Sequence, residues 1–125
     1  MPDPMRKPTL TPRLRLKLGE AIALGPGKAE LLEQIDQTQS ISAAAKRMNM
    51  SYRRAWLLVD TMNRCFSSPL VDTATGGKRG GGARLSATGQ QVLQLYRDFE
   101  QRLQSSPELE ALTALTHSPH PDEQH

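Results

Sequence analysis

Apolar residues recur at helical spacing in three parts of the chain, so most of it is predicted to be helical. In the segment 28–38, apolar residues fall on one side of a helix and acids on the other: Leu31, Leu32 and Ile35 against Glu30, Glu33 and Asp36. The same spacing recurs in two later segments, first at Ala55, Leu58, Val59 and Met62, and then at Val92, Leu95, Tyr96, Phe99 and Leu103. These patterns predict amphipathic helices at 28–38, after residue 51 and after residue 86.

Short strands are predicted between these helices. The segment 14–18 alternates leucines with basic residues, which predicts a strand with its leucines inward and Arg15 and Lys17 outward. The segment 19–27 then indicates a bent strand or a strand pair, because apolar residues precede a Gly-Pro-Gly break. Residues 70–75 have strand-like propensity, and 83–86 form the predicted returning strand.

The stretch 40–66 is the central feature, because it has the pattern of two helices joined by a tight turn. Ser40 and Ser42 are cap-type residues before an alanine run whose small side chains allow a second helix to cross closely. Residues 48–51 interrupt the run, and Ser51 is the expected N-cap of the second helix. In a DNA-binding helix-turn-helix, the first residues of that helix face the bases, and here they are Ser51, Tyr52, Arg53 and Arg54. A surface helix pair without a ligand is the alternative.

The position of the positive charge favours DNA. A helix N-terminus is already partly positive, so Arg53 and Arg54 are unfavourable there unless an anion binds. The segments 1–13, 14–104 and 105–125 carry net charges of +2, +5 and −4. A basic body that contains a candidate recognition helix is typical of nucleic-acid binding proteins, although a solvated basic face remains the alternative.

A glycine-rich segment, 76–82, carries Lys78 and Arg79 between its glycines. A hairpin with cations at its tip is typical of the wing of a winged helix, where glycine permits close approach to phosphates or the minor groove. Arg84, on the returning strand, completes the predicted DNA-binding residues. The segment lacks the GxxxxGK[ST] spacing of a nucleotide-binding loop. A plain flexible loop would not explain why the cations lie between the glycines.

Several other classes are disfavoured by composition. The 125 residues suffice for one domain and its tails, and 4% aromatic residues argue against a base-stacking sheet. The segment 14–104 has no histidine, no nucleophile beside a base and no recognisable carboxylate pair, so we predict no enzyme, cofactor or metal site. Cys65 is expected to be a small half-buried residue. No apolar run is long enough for a membrane span or a signal peptide, which predicts a cytoplasmic protein.

These observations predict a mainly α fold with a small β-hairpin, a winged helix-turn-helix followed by a long dimerisation helix. The predicted organisation is a flexible arm at 1–13, a DNA-binding domain at 14–86, a dimer-contact helix at 87–104 and a disordered acidic tail at 105–125. Packing of the 87–104 stripe back onto the domain is the alternative to a dimer contact.

The quoted residues resemble those of a known family. The motifs GKAELLEQI, SISAAAKRMNMSYRRAW and VDTMNRCFSSPLV, with the glycine-rich segment and LSATGQQVLQLY, are similar to the N-terminal DNA-binding domain of the ModE family over about residues 14–104. These are molybdate-responsive transcriptional regulators, distant relatives of the LysR-type winged helix.

The resemblance implies a dimer that binds operator DNA and controls genes for molybdate uptake or molybdenum enzymes. It places residues 51–54 at the start of the recognition helix and 76–82 in the wing. Trp56 also falls on a family position, which leaves open whether it packs inward or faces DNA. Family members continue into molybdate-binding domains that this sequence does not contain, so no small-molecule ligand is expected here. The rival function is a winged-helix module that docks a partner protein.

Overall fold

The computed structural model describes residues 9–73 and 82–117. Its elements, in chain order, are β1 (Leu16–Leu18), β2 (Ala21–Leu24), α1 (Pro26–Thr38), α2 (Ile41–Arg47), α3 (Tyr52–Cys65), β3 (Val71–Thr73), β4 (Ala83–Leu85), α4 (Ala87–Gln104) and α5 (Pro107–Ala114). The strands form two antiparallel pairs, β1 with β2 and β3 with β4. The predicted fold class, mainly α with a small β-hairpin in a winged helix-turn-helix, is confirmed.

Serine caps and two left-handed residues determine how the first three helices meet. Ser40 accepts a hydrogen bond from the backbone N–H of Ala43 at 3.0 Å and thereby starts α2. Gln39, which ends α1, and Asn49, in the turn between α2 and α3, have positive φ of 58° and 57°. Asparagine tolerates this conformation better than most residues. The chain therefore reverses sharply before and after α2.

Small side chains allow α2 to pack closely against its neighbours. Ala44 and Ala45 on α2 and Ala55 on α3 are buried, with exposures of 0%, 2% and 0%. The core around them is formed mainly by large apolar residues of β2, α1, α3, α4 and the segment before β3, among them Leu24, Leu31, Leu32, Ile35, Met62, Leu70 and Tyr96. Cys65 is half-buried, as predicted. The helix-turn-helix thus packs directly into the core.

The start of α4 packs directly on the backbone before β3. Ser86 caps α4 by accepting from the N–H of Gly89 at 2.9 Å, and its own backbone N–H donates to the carbonyl of Leu70 at 2.8 Å. A β-carbon on Gly89 would lie 2.0 Å from the same carbonyl oxygen, so only glycine fits this crossing.

Two predictions about buried faces are corrected by the structure. Leu18 is 58% exposed and does not face inward with the other leucines of its strand. The pairing of β1 with β2 shifts register between Leu16 and Lys17, and such a bulge ends the alternation that predicted an inward Leu18. In α3, Leu58 is only partly buried and lies at the edge of the core formed by Ala55, Val59 and Met62.

The buried face of α4 is rotated from the predicted stripe. Leu93 and Tyr96 are buried, whereas Leu95 and Phe99 are 59% and 45% exposed. The predicted stripe therefore packs on the domain only in part. The exposed residues lie on the side of α4 that faces away from Leu93.

A helix also replaces part of the predicted disordered tail. Ser106 accepts from the N–H of Leu109 at 3.2 Å, and Pro107 occupies the first turn of α5. Glu108 and Glu110, which suggested a solvated tail, lie in that first turn, where acidic groups favour a helix. Thr9 to Arg13 form no helix or strand. The rest of the predicted arm and tail, 1–8 and 118–125, lies outside the described residues.

Candidate nucleic-acid interface

The first turn of α3 presents all the residues predicted for a recognition helix. Ser51 starts the helix by accepting a hydrogen bond from the N–H of Arg54 at 3.1 Å, so its hydroxyl has a structural role. Tyr52, Arg53 and Arg54 follow and are exposed. Because Ala55 and Val59 turn the opposite side of the helix into the core, this end of α3 projects from the domain.

Trp56 lies toward the solvent side of α3 and is not packed into the core. It is 45% exposed, and its neighbour Leu57 is 48% exposed. Together with Tyr52 and Arg53 these side chains line a shallow surface hollow. The outward face of the first two turns therefore combines positive charge with large apolar groups.

The cations at this end of α3 are available to a ligand. Within residues 9–73 and 82–117, neither Arg53 nor Arg54 forms a salt bridge. The acid of this helix, Asp60, lies two turns further on and pairs with Arg64 at 2.9 Å. The positive charge at the helix N-terminus is thus not neutralised locally, which favours an approaching anion.

The β3–β4 hairpin is hydrogen-bonded to the turn before the helix-turn-helix. The backbone N–H of Ala83 donates to the carbonyl of Gln39, in the turn between α1 and α2, at 3.1 Å. Arg84 is exposed on β4, where its Cα lies opposite that of Asp72. Lys78, Arg79 and the glycines before Gly82 lie outside the described residues, so their predicted roles stay predictions.

Asn63 joins this hairpin to α3, and the sequence analysis did not identify it. Its Oδ1 accepts from the backbone N–H groups of Leu70 and Val71 at 2.8 and 3.2 Å, and its Nδ2 donates to the carbonyl of Val71 at 3.3 Å. The available signal was a polar residue beside Met62, near the buried stripe of α3. Asn63 therefore fixes the start of β3 relative to the helix that carries Arg53.

The other chemical features of the described residues are limited. No cluster of three or more histidine, cysteine or acidic side chains there could hold a metal ion. In the same part of the chain, no helix is both long and apolar enough to cross a lipid bilayer. The predicted residues of α3 are thus brought together on one exposed surface, while Arg84 lies on a separate element.

Comparison with known proteins gives a consistent result. No family model matches the chain. It is 41% identical over 91 residues to the transcriptional regulator ModE of Haemophilus influenzae, covering 73% of this chain and 35% of that protein. It is 45% identical over 83 residues to ModE of Yersinia pestis, covering 66% and 32% respectively.

A third relative is named for its activity. The DNA-binding transcriptional dual regulator ModE of Escherichia coli is 43% identical over 83 residues, covering 66% of this chain and 32% of that protein. The chain thus spans about a third of the length of the curated relatives it matches. The relationship predicted from the motifs is confirmed: over about two thirds of its length, this chain is a homologue of the ModE transcriptional regulators.

Proposed function

We propose that this chain is a transcriptional regulator of the ModE type that binds operator DNA as a dimer. The observation that carries the proposal is the exposed first turn of α3, where Arg53 and Arg54 have no salt-bridge partner in the described residues. A duplex supplies closely spaced phosphates for such cations, and release of counterions provides sequence-independent affinity. The names of the relatives, one of which includes DNA binding, agree with this function.

The proposed contacts divide between bases and backbone. Arg53, with Tyr52 and Arg54 beside it, would enter the major groove and contact base edges or adjacent phosphates. Lys78, Arg79 and Arg84 would contact the backbone from the wing. Ser51 would act indirectly, because its hydroxyl caps the helix that presents the other residues.

The proposed dimer contact lies on α4. Leu95 and Phe99 are 59% and 45% exposed there, and burial of such side chains in a second copy would be favourable. A symmetric pair of recognition helices would then meet two half-sites about 34 Å apart. The genes proposed as targets are those for molybdate uptake or molybdenum enzymes, in keeping with the name of a relative from Azotobacter vinelandii, molybdenum transport protein ModE.

Titration of a labelled duplex, enriched by the protein from a randomised pool, tests the proposal. We expect affinity to fall steeply as salt rises, with two chains bound per duplex. The expected loss for Arg53→Ala is about 1–3 kcal/mol, with relaxed preference at one base pair. Arg15→Ala, an exposed arginine directly before β1 and outside both the α3 surface and the proposed α4 contact, serves as the matched control and should change affinity much less.

Two results would change the proposal in different ways. If Arg53→Ala weakens binding to all sequences equally, Arg53 contacts a phosphate and not a base. If no duplex is enriched from the pool and none binds at low salt, the DNA-binding function is wrong. The chain would then fit the rival role, a winged-helix module that docks a partner protein.

A further inference from the structure

The outward face of α3 includes two large apolar side chains, Trp56 and Leu57, that have no ligand in the proposed function. Trp56 and Leu57 lie one helical turn after Arg53, and about half of each side chain is exposed, 45% and 48%. They line the same hollow as Tyr52 and Arg53. Exposed large apolar groups are common singly, but adjacent groups beside unpaired cations indicate a binding surface.

The core does not account for these two residues. Three other positions of α3, Ala55, Val59 and Met62, fill its buried face with exposures of 0%, 3% and 0%. Trp56 and Leu57 lie on the side that contains Arg53. A ligand of Arg53 would therefore also cover Trp56 and Leu57, and the positive charge there favours an anionic ligand.

The major groove of DNA offers one apolar group on its base edges, the 5-methyl group of thymine. Side chains one turn further along a helix lie about 5 Å from those of the preceding turn, so they meet a neighbouring base pair. We propose that Trp56 and Leu57 form an apolar surface that contacts a thymine 5-methyl group beside the base pair met by Arg53. This inference rests on the proposed DNA binding and adds the kind of base recognised.

Single replacement of thymine by uracil in the enriched duplex tests it, because uracil lacks only the methyl group. We expect the wild-type protein to lose about fourfold in affinity at one position, the value of one buried methyl group. At that position 5-bromouracil, with a substituent of similar size, should restore binding. In Trp56→Ala or Leu57→Ala, the same uracil replacement should have no further effect.

The matched control is Leu112→Ala, which truncates a 55% exposed leucine on α5 and should keep the full sensitivity to uracil. The thermal midpoint of each variant shows that it is folded. A duplex that is enriched but tolerates uracil at every position, or contains no thymine in its protected region, overturns this inference alone. Sensitivity that persists in both α3 variants also overturns it. Failure to enrich any duplex refutes the proposed function instead.

Discussion

Asn63 provides the most direct test of how the hairpin is held against the recognition helix. Its Oδ1 accepts hydrogen bonds from the N–H groups of Leu70 and Val71, at 2.8 and 3.2 Å. Leu70 and Val71 are 0% and 2% exposed, so water does not readily replace the side chain. In Asn63→Ala these two donors lose their shared acceptor, and the carbonyl of Val71 loses the 3.3 Å bond donated by Nδ2.

The magnitude follows from the number of bonds lost. A buried donor left without a partner costs about 1–3 kcal/mol. Since the bond to Val71 is the longer of the two, we expect Asn63→Ala to lower the free energy of unfolding by about 2–4 kcal/mol in total. Asn63→Asp keeps an acceptor oxygen for both N–H groups but replaces the donor by a carboxylate oxygen that faces the carbonyl of Val71, so we expect a loss of about 1–3 kcal/mol.

Urea unfolding followed by circular dichroism measures these differences. Thr61→Ala is the matched control on the same helix, because across residues 9–73 and 82–117 the Thr61 hydroxyl bonds only within α3, to the carbonyl of Leu57 at 3.0 Å. That variant should stay within about 0.5 kcal/mol of wild type. If Asn63→Ala is no less stable than Thr61→Ala, the side chain does not hold β3 in place and the reasoning is refuted.

Two further predictions concern close packing and pH. Gly89→Ala places a β-carbon 2.0 Å from the Leu70 carbonyl oxygen and should lower the free energy of unfolding by about 3 kcal/mol or more. Gly27→Ala, whose β-carbon meets open space, should raise it by about 0.4–1 kcal/mol; equal urea midpoints for the two variants would contradict the packing argument. Tyr96 donates to the carbonyl of Leu14 at 2.6 Å, and burial raises the pKa of its hydroxyl, so Tyr96→Phe should lose about 1 kcal/mol at neutral pH. Because a tyrosine in the unfolded chain has a pKa of about 10, the stabilisation by Tyr96 is complete below pH 10 and is lost as pH rises further. If the difference in the free energy of unfolding between wild type and Tyr96→Phe stays constant from about pH 7 to 11, the buried hydroxyl does not stabilise the fold in this way.

The sequence predicted the structure correctly where an arrangement depends on residues a few positions apart. The serine caps at Ser40 and Ser51 each accept from a backbone N–H three residues later, as the sequence predicted for these cap-type residues. It did not predict arrangements in which the interacting residues are far apart in the chain. The register shift that exposes Leu18 is a property of two paired strands, and the three bonds of Asn63 depend on where β3 lies. The register shift has no local signal, and for Asn63 the sequence offers only a polar residue beside Met62, which does not identify its partners.

At the candidate site, the rotational position of α3 likewise depends on packing between distant parts of the chain and could not be predicted from the local sequence. Successive residues of a helix are 100° apart, so the buried positions Ala55, Val59 and Met62 place Arg53 and Leu57 almost opposite the core. Trp56 falls between the two faces, where periodicity alone permits either burial or exposure. Its 45% exposure follows from the packing of α3 against the rest of the domain, in which Ala55, Val59 and Met62 form the buried face of the helix. The composition of the outward face, and with it the proposed recognition of thymine, is therefore a consequence of tertiary packing.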